Sequence, residues 1–237
     1  MIQAGFAADS RNAVGLYKTE DRGTYAGGLI LAGFGTFPPP GAICDDAIQK
    51  VMEFNAVQLQ NSLEHMLEQR CEDMEHAKKL LTSKLNRLNE SISFLQRSFG
   101  QGIYLCGAIC YIAGEHYICL PFGGACAYIW EDNSYHALTN AAAPKDQMHY
   151  IYDALGGSKE MPVSFAEGYL REAMHMVLVT QPAPEDLINS MMKALSVADA
   201  KLTSYEFHRG LDSRIMPTAV LTISQRGKNP YSGGDTV

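Results

Sequence analysis

The stretch Leu81-Thr-Ser-Lys-Leu-Asn-Arg-Leu-Asn-Glu-Ser-Ile-Ser-Phe-Leu95 places a leucine or isoleucine at every third or fourth position. This spacing is the period of the apolar face of an α-helix. The stretch belongs to a longer segment, 42–99, that contains neither glycine nor proline. One helix of that length is unusual in a compact domain. We therefore expect two antiparallel helices over about 44–98, separated within 68–73, with Asp73 as the N-cap of the second helix.

The segment after Gly102 changes to β-strand character. Four short runs rich in aromatic and β-branched residues are separated by turn-forming residues, which is typical of an antiparallel meander. Further along, we expect a helix, a strand, a helix that opens with proline and a final strand. In chain order the predicted elements are the strands Ile103–Ala113, His116–Pro121, Ala125–Glu131 and Tyr135–Leu138, the helix Pro144–Leu155, the strand Met174–Thr180, the helix Pro184–Ala200 and the strand Thr218–Ser224.

The order of these elements predicts the architecture. The 237 residues are 46% hydrophobic and 19% charged, which suits one globular domain with a sizeable core. Strands precede and follow the helical pair without a regular strand–helix–strand alternation, so we expect an α+β sandwich with helices outside the sheets. We expect this single domain over residues 1–224 and a flexible tail over 225–237.

The charge and hydropathy of the chain argue against two classes of partner. The formal net charge is -7 and no cluster of Lys or Arg is present, whereas nucleic-acid-binding domains usually carry a basic patch. No apolar run approaches the ~18 residues that span a membrane, and the N-terminus lacks the pattern of a secretory signal. We therefore expect no nucleic acid, no membrane and a cytoplasmic location, and the compact size fits a bacterial protein.

The cysteines offer one alternative kind of chemistry. The six are Cys44, Cys71, Cys106, Cys110, Cys119 and Cys126. They form no Cys-x-x-Cys pair, although structural zinc sites usually show such tight spacing. Buried thiols in a reducing compartment are the simplest interpretation. The alternative is a thiol-based enzyme that uses Cys106 or Cys110, which share one face of a predicted strand.

The stretch Gly28-Leu-Ile-Leu-Ala-Gly-Phe-Gly-Thr36 has the form of a strand that runs into a glycine-rich bend. Such a bend lets the backbone approach a ligand or another segment closely. The chain contains no Gly-x-Ser-x-Gly nucleophile elbow and no Gly-x-x-x-x-Gly-Lys phosphate loop. In the helical region, Asp73 and His76 approximate the spacing of a di-iron bundle, but we expect them to lie on a solvated helix face.

Five segments of the chain share a pattern with one enzyme family. They are Thr19–Asp21, Leu31–Gly35, Phe122–Tyr128, Met176–Pro182 and Ile215–Val220. In this order they resemble the motifs Asn-Glu-Asp, Val-Ala-Asp-Gly-x-Gly-Gly, Val-Gly-Asp-Ser-Arg-Ala-Tyr, Leu-Leu-Leu-Ala-Ser-Asp-Gly and Asp-Asn-x-Thr-x-Val of the type 2C metal-dependent serine/threonine protein phosphatases. The resemblance runs over roughly residues 5–224. It implies the family fold, a four-layer α-β-β-α sandwich of two antiparallel sheets flanked by helices.

The resemblance also shows which groups have changed. In the family, two divalent ions held mainly by aspartates activate the water that attacks the phosphoryl group. Here Asp21 stands at the first aspartate. Residues without charge stand at three further metal-binding aspartates, at the aspartate of the Gly-Asp-Ser-Arg motif and at the phosphate-binding arginine; they are, in that order, Ala32, Gln181, Ile215, Gly124 and Leu16. Two dications ~4 Å apart repel by roughly 15 kcal/mol at an effective dielectric of ~20, so the remaining acids cannot hold such a pair.

The resemblance therefore predicts a degenerate member, a pseudophosphatase that acts by binding or regulation. We expect no cofactor, or at most one weakly bound Mg²⁺ or Mn²⁺ at Glu20, Asp21 and the Gly33 carbonyl. Asp9 competes with Asp21 for the position of the first aspartate. The expected partner is another protein or a second copy of the chain. The alternative is an active metal-dependent serine/threonine phosphatase with a rebuilt site.

Overall fold

The structure is a computed structural model. It describes residues 2–9, 12–21, 24–35, 45–99, 102–132, 134–138, 153–161, 163–195, 200–211 and 217–225.

Within these residues the chain forms ten strands and four helices. The strands are β1 Ile2–Ala8, β2 Ala13–Glu20, β3 Tyr25–Gly35, β4 Ile103–Ala113, β5 His116–Phe122, β6 Cys126–Glu131, β7 Ser134–Ala137, β8 Ala166–Tyr169, β9 His175–Val179 and β10 Ala219–Gln225. The helices are α1 Asp45–Glu68, α2 Met74–Phe99, α3 Glu185–Leu195 and α4 Ala200–Gly210.

The strands form two five-stranded sheets in which every pairing is antiparallel. The first sheet has the strand order β1-β10-β9-β6-β7, and the second has the order β2-β3-β4-β5-β8. The N-terminal strand of the first sheet thus pairs with the C-terminal strand. Strand β3 lies inside the second sheet, between β2 and β4.

Three hydrophobic clusters separate four layers. One cluster lies between α1, α2 and the second sheet and includes Leu59, Leu85 and Leu29. Another lies between the two sheets, and a third packs α3 and α4 on the first sheet. The predicted four-layer α-β-β-α sandwich is confirmed.

The helical pair forms as its apolar period predicts. Helix α1 ends at Glu68 and α2 begins at Met74. Asp73 caps α2, because its Oδ1 accepts hydrogen bonds from the backbone N–H groups of Glu75 and His76 at 2.9 and 3.1 Å. The hydroxyl of Tyr111 on β4 donates a 3.0 Å hydrogen bond to the carbonyl oxygen of Cys71. This bond connects the turn between α1 and α2 to the second sheet.

The prediction that the four strands after Gly102 form one antiparallel meander is wrong. Strands β4 and β5 pair in the second sheet, whereas β6 and β7 pair in the first. The chain crosses between the sheets at Gly123 and Gly124, which have φ angles of +65° and +81°. A Cβ on Gly123 would lie 2.7 Å from Cβ of Cys106. The crossing therefore depends on a left-handed turn in close contact with β4.

Other elements differ from the sequence expectation. The helix predicted over Pro184–Ala200 ends at Leu195, and both α4 and the short edge strand β8 were not predicted. The helix predicted over Pro144–Leu155 lies mainly outside the described residues. Its final residues form a turn and an isolated bridge between Leu155 and Leu105. Residues 226–237 of the predicted tail also lie outside the described residues, while Gln225 ends β10.

Within the described part of the chain, no helix combines the length and apolar character needed to cross a membrane.

The cap of α2 gives a first testable prediction. We expect Asp73→Ala to lower the free energy of unfolding by about 1 kcal/mol, because two N–H groups at the helix start lose their acceptor. Asp73→Asn retains an acceptor oxygen and should cost only a few tenths of that. Urea unfolding followed by circular dichroism measures both variants, and equal losses for the two would contradict the capping role.

A second prediction concerns the contact of β3 with β4. A Cβ on Gly107 would lie 2.3 Å from the carbonyl oxygen of Ile30, so we expect Gly107→Ala to lower the free energy of unfolding by about 1–3 kcal/mol. Gly27, on the adjacent strand, is the matched control, because a Cβ there would meet Leu67 at an ordinary 3.4 Å. Urea unfolding should show little loss for Gly27→Ala; a loss equal to that of Gly107→Ala would refute the steric explanation.

Candidate functional site

The end of β3 forms the centre of the candidate site. Ala32 is fully buried and lies in register between Ala13 on β2 and Cys106 on β4. Side chains directly opposite each other in antiparallel strands lie on the same face of a sheet, and here that face looks toward the first sheet, as the neighbouring Ile30 and Ala108 do. The three residues therefore present an apolar surface to the space between the sheets.

The backbone at Gly33 is in close contact with Asn12 and with helix α1. Its N–H donates a 2.8 Å hydrogen bond to the carbonyl oxygen of Asn12. A Cβ on Gly33 would lie 2.8 Å from Cγ2 of Ile48. This glycine therefore allows β3 to approach helix α1. Asn12 has a left-handed φ of 58° and a buried Oδ1 without a hydrogen-bond partner.

The same end of the first sheet contains a carboxylate, Asp9. Its Oδ2 accepts hydrogen bonds from the N–H and the hydroxyl of Thr218, at 2.6 and 3.1 Å. Its Oδ1 lies 3.2 Å from Nε2 of His208 on α4. The backbone N–H of Asp9 also donates to the carbonyl oxygen of Thr218. Both carboxylate oxygens therefore have partners within the chain, and they tie the end of β1 to the start of β10.

Two further residues, Thr180 and Gln181, lie at the same end of the first sheet, directly after β9. The Thr180 hydroxyl accepts a 2.9 Å hydrogen bond from the N–H of Ala219 and lies 3.4 Å from the carbonyl oxygen of Pro217. Gln181 follows and is buried. Among the described residues, this end of the first sheet thus combines the neutral side chains of Thr180, Gln181 and Thr218 with one carboxylate, Asp9, which lies beside His208.

The remaining family positions contribute no charge to this site. Gly124 has no side chain and lies in the turn between β5 and β6. Leu16 pairs in register with Leu29 and packs on the cluster beneath the α1 and α2 helices, so it faces away from the space between the sheets. Ile215 lies outside the described residues.

The structure does not bring the three proposed metal ligands together. Glu20 pairs with Tyr25 at one end of the β2–β3 hairpin, whereas Ala32 pairs with Ala13 at the other. Seven residues of strand separate the two ends, which corresponds to about 23 Å. Glu20 and Asp21 are therefore far from Gly33.

The surroundings of Glu20 and Asp21 are those of a surface turn. Asp21 is exposed, accepts a hydrogen bond from the N–H of Thr24 and lies 3.9 Å from Arg70. Glu20 lies 3.6 Å from Lys18. The letters of the Thr-Glu-Asp segment match the motif, but the register of β2 places other residues, Asn12 and Ala13, beside Ala32. The assignment of Leu16 to the arginine position was counted from Asp21, so it shifts with this correction.

The sequence pointed to two of the three residues Asp9, Thr218 and His208. Asp9 was weighed for the first aspartate position, and Thr218 lies within the last matched segment. His208 was missed because its helix, α4, was not predicted. A signal existed in the spacing of Ser204, Phe207 and Leu211, which lie on the buried side of that helix.

No three His, Cys, Asp or Glu side chains within the described ranges are grouped so that they could hold a metal ion. The Asp9–His208 pair supplies two such groups. Hard divalent cations need several oxygen ligands, so the described residues do not fit a binuclear centre.

The thiols of β4 have the environment of core residues. Cys106 and Cys110 are buried and free, and burial raises the pKa of each thiol to about 12. Burial likewise raises the pKa of Cys126 to about 11. Since the thiolate is the nucleophilic form, these environments disfavour the thiol-enzyme alternative.

Alkylation tests this conclusion. A thiol with a pKa near 12 is ionised in only about one molecule in ten thousand at pH 8. We therefore expect iodoacetamide at pH 8 to label the partly exposed Cys71 first in a Cys44→Ser variant, and Cys106 and Cys110 only after unfolding in guanidinium. Mass spectrometry of the labelled peptides gives the rates, and rapid labelling of Cys106 or Cys110 in native protein would restore the thiol-enzyme hypothesis.

Known proteins match this chain in structure and not in sequence. No protein-family profile matches the chain, and no curated protein sequence matches it. The serine/threonine phosphatase of S. agalactiae superimposes with a TM-score of 0.72 at 13% identity, covering 95% of this chain and 100% of that one. The phosphatase Stp1 from Staphylococcus aureus gives a TM-score of 0.66 at 12% identity, covering 96% of each chain.

A third similar structure contains metal. The catalytic domain of the serine/threonine protein phosphatase PstP, in complex with two manganese ions, superimposes with a TM-score of 0.64 at 13% identity, covering 94% of this chain and 99% of that one. At such low identities a superposition shows shared architecture alone. This chain has the fold of the bacterial type 2C serine/threonine phosphatases.

Proposed function

We propose that this chain is a catalytically degenerate phosphatase-fold domain, a pseudophosphatase that acts by binding or regulation. The observation that carries this proposal is the surroundings of Ala32. Where the fold family has a metal-binding aspartate, this chain has a fully buried alanine between Ala13 and Cys106. At this register the adjacent strands β2, β3 and β4 therefore contribute no side-chain oxygen.

The first sheet does not compensate for this loss. Asp9 is the carboxylate at the end of β1; its Oδ2 accepts hydrogen bonds from Thr218, and its Oδ1 lies 3.2 Å from Nε2 of His208. Freeing it for a metal would leave the start of β10 without its acceptor. Gln181 contributes no charge at the position of another aspartate, and Ile215 contributes none at the last one. Two dications without bridging carboxylates repel strongly, which opposes a binuclear centre here.

The same substitutions favour a binding role. A site without metal-binding carboxylates lacks the divalent ions that would select a phosphoryl group. Ala32 and Cys106 are fully buried, so a partner protein would be recognised by the outer surfaces of the domain and not by these two side chains. We place the chain in the bacterial cytoplasm, where a protein that recognises phosphatase partners or substrates would act.

One observation favours the alternative of an active enzyme with a rebuilt site. Asp9 and His208 are both ionisable and lie at the end of the sandwich where the fold family performs its chemistry. One divalent ion bound there would require Asp9 to exchange its partners.

Phosphatase activity provides the direct test. With millimolar Mn²⁺ or Mg²⁺, we expect hydrolysis of p-nitrophenyl phosphate by the purified chain to equal the blank rate. Thermal unfolding should also shift by less than about 1 °C with 1 mM Mn²⁺, because ligand binding would stabilise the native state. Turnover that disappears in Asp9→Ala but survives in Asp21→Ala would refute the proposal and identify the rebuilt site.

A substitution at Ala32 tests whether the site can still accept charge. We expect Ala32→Asp to lower the free energy of unfolding by at least about 3 kcal/mol, because it buries a carboxylate without a partner. Asparagine has nearly the same shape as aspartate but no charge, so Ala32→Asn should lower the free energy of unfolding clearly less than Ala32→Asp. Urea unfolding with and without 1 mM Mn²⁺ measures both, and recovery of Ala32→Asp by Mn²⁺ would show that ligand positions for a metal persist.

A further inference from the structure

The outward side of the α1–α2 layer carries unusual apolar exposure. Phe54 and Val57 on α1 are 58% and 52% exposed, and Phe94 on α2 is 64% exposed. These are three of the six large hydrophobic side chains exposed among the described residues. The opposite sides of both helices are already buried on the second sheet. We call the exposed residues within 46–68 and 74–98 the outer helical face.

The exposed apolar residues lie close enough to form one patch. Phe54 and Val57 are three residues apart and so occupy the same side of α1. A 2.7 Å hydrogen bond from Lys84 to Gln58 aligns the two antiparallel helices, which places Phe94 about 9 Å farther along the helix axes than Phe54. Adjacent helix axes are about 8–10 Å apart. One partner surface can therefore cover all three side chains.

The charges on the outer helical face permit contact between identical copies. The exposed charged residues are four basic and five acidic ones, Lys50, Lys79, Arg87, Arg97, Asp46, Glu53, Glu68, Glu75 and Glu90. The whole chain has a net charge of -7, so most of its surface repels a second copy. This face has nearly balanced charge and both signs, so a second copy can meet it without that repulsion.

The size of the face matches what a stable dimer needs. Helices α1 and α2 contain 24 and 26 residues, which corresponds to lengths of about 36–39 Å. Two such helices side by side present a surface about 20 Å wide, or roughly 700–800 Å². A standard protein interface buries about 800 Å² on each partner.

We infer that the outer helical face is a self-association surface, on which a second copy of this chain packs to form a two-fold symmetric dimer. Phe54, Val57 and Phe94 form the apolar centre of the contact, and the nine exposed charged residues surround it. In a two-fold contact every residue acts twice. The face lies on the opposite side of the α1–α2 layer from the second sheet, so the dimer does not depend on whether the site near Ala32 binds metal.

Sedimentation equilibrium of the full chain tests this inference. Between about 1 and 100 µM, the wild-type protein should approach twice the chain mass of 26.0 kDa. Phe54→Glu combined with Phe94→Glu should weaken the dimer by at least about 30-fold, the loss typical of an interface hot spot. Tyr205→Glu is the matched control, because Tyr205 is an equally exposed aromatic residue, at 55%, on α4 in the opposite helical layer; this variant should remain dimeric.

Two outcomes of this experiment would contradict self-association through the outer helical face. A wild-type chain that is monomeric throughout this range, or a dimer that the double variant leaves unchanged, would overturn the inference. Circular dichroism establishes that the variants are folded, as expected for substitutions at exposed positions. If the double variant does not fold, Val57→Ser replaces it, and its dimer must still be weaker than that of Tyr205→Glu for the inference to stand.

Discussion

Burial of β3 on both faces holds the layers of this protein together. Leu29 and Leu31 pack beneath the helical pair, whereas Ile30 packs against the first sheet. Because side chains alternate along a strand, one short apolar run joins two of the three hydrophobic clusters. Replacing this strand with an alternating polar one would separate the helices, the second sheet and the first sheet at the same time.

The same strand explains why the second sheet contributes no charge at Ala32. Ala32 continues the alternation of β3 and therefore points between the sheets, like Ile30 two residues earlier. An aspartate at this position is tolerated only when cations compensate for its burial. With Cys106 and Ala13 as neighbours, the apolar register simply runs to the end of the sandwich. Core packing thus extends to this end of the two sheets.

The sequence predicted the features whose signals are local. The leucine spacing of α2 and the acceptor at Asp73 located the helical pair, and β4 was predicted with its observed bounds. Strand register is different, because it depends on partners distant in the chain. The sequence could not show that Ala13, and not Asp21, lies beside Ala32. The crossing at Gly123 and the helix that carries His208 were missed for a similar reason, since tertiary packing stabilises both.

The pairing of the first and last strands has a consequence for synthesis. Strand β10 lies between β1 and β9, and Asp9 binds Thr218 across 209 positions of chain. While the ribosome has not yet released β10, β1 and β9 lack the strand that joins them and expose two unpaired edges. Such edges favour aggregation, and contacts so distant in sequence form slowly. The nascent chain therefore needs chaperone protection most before β10 has been made.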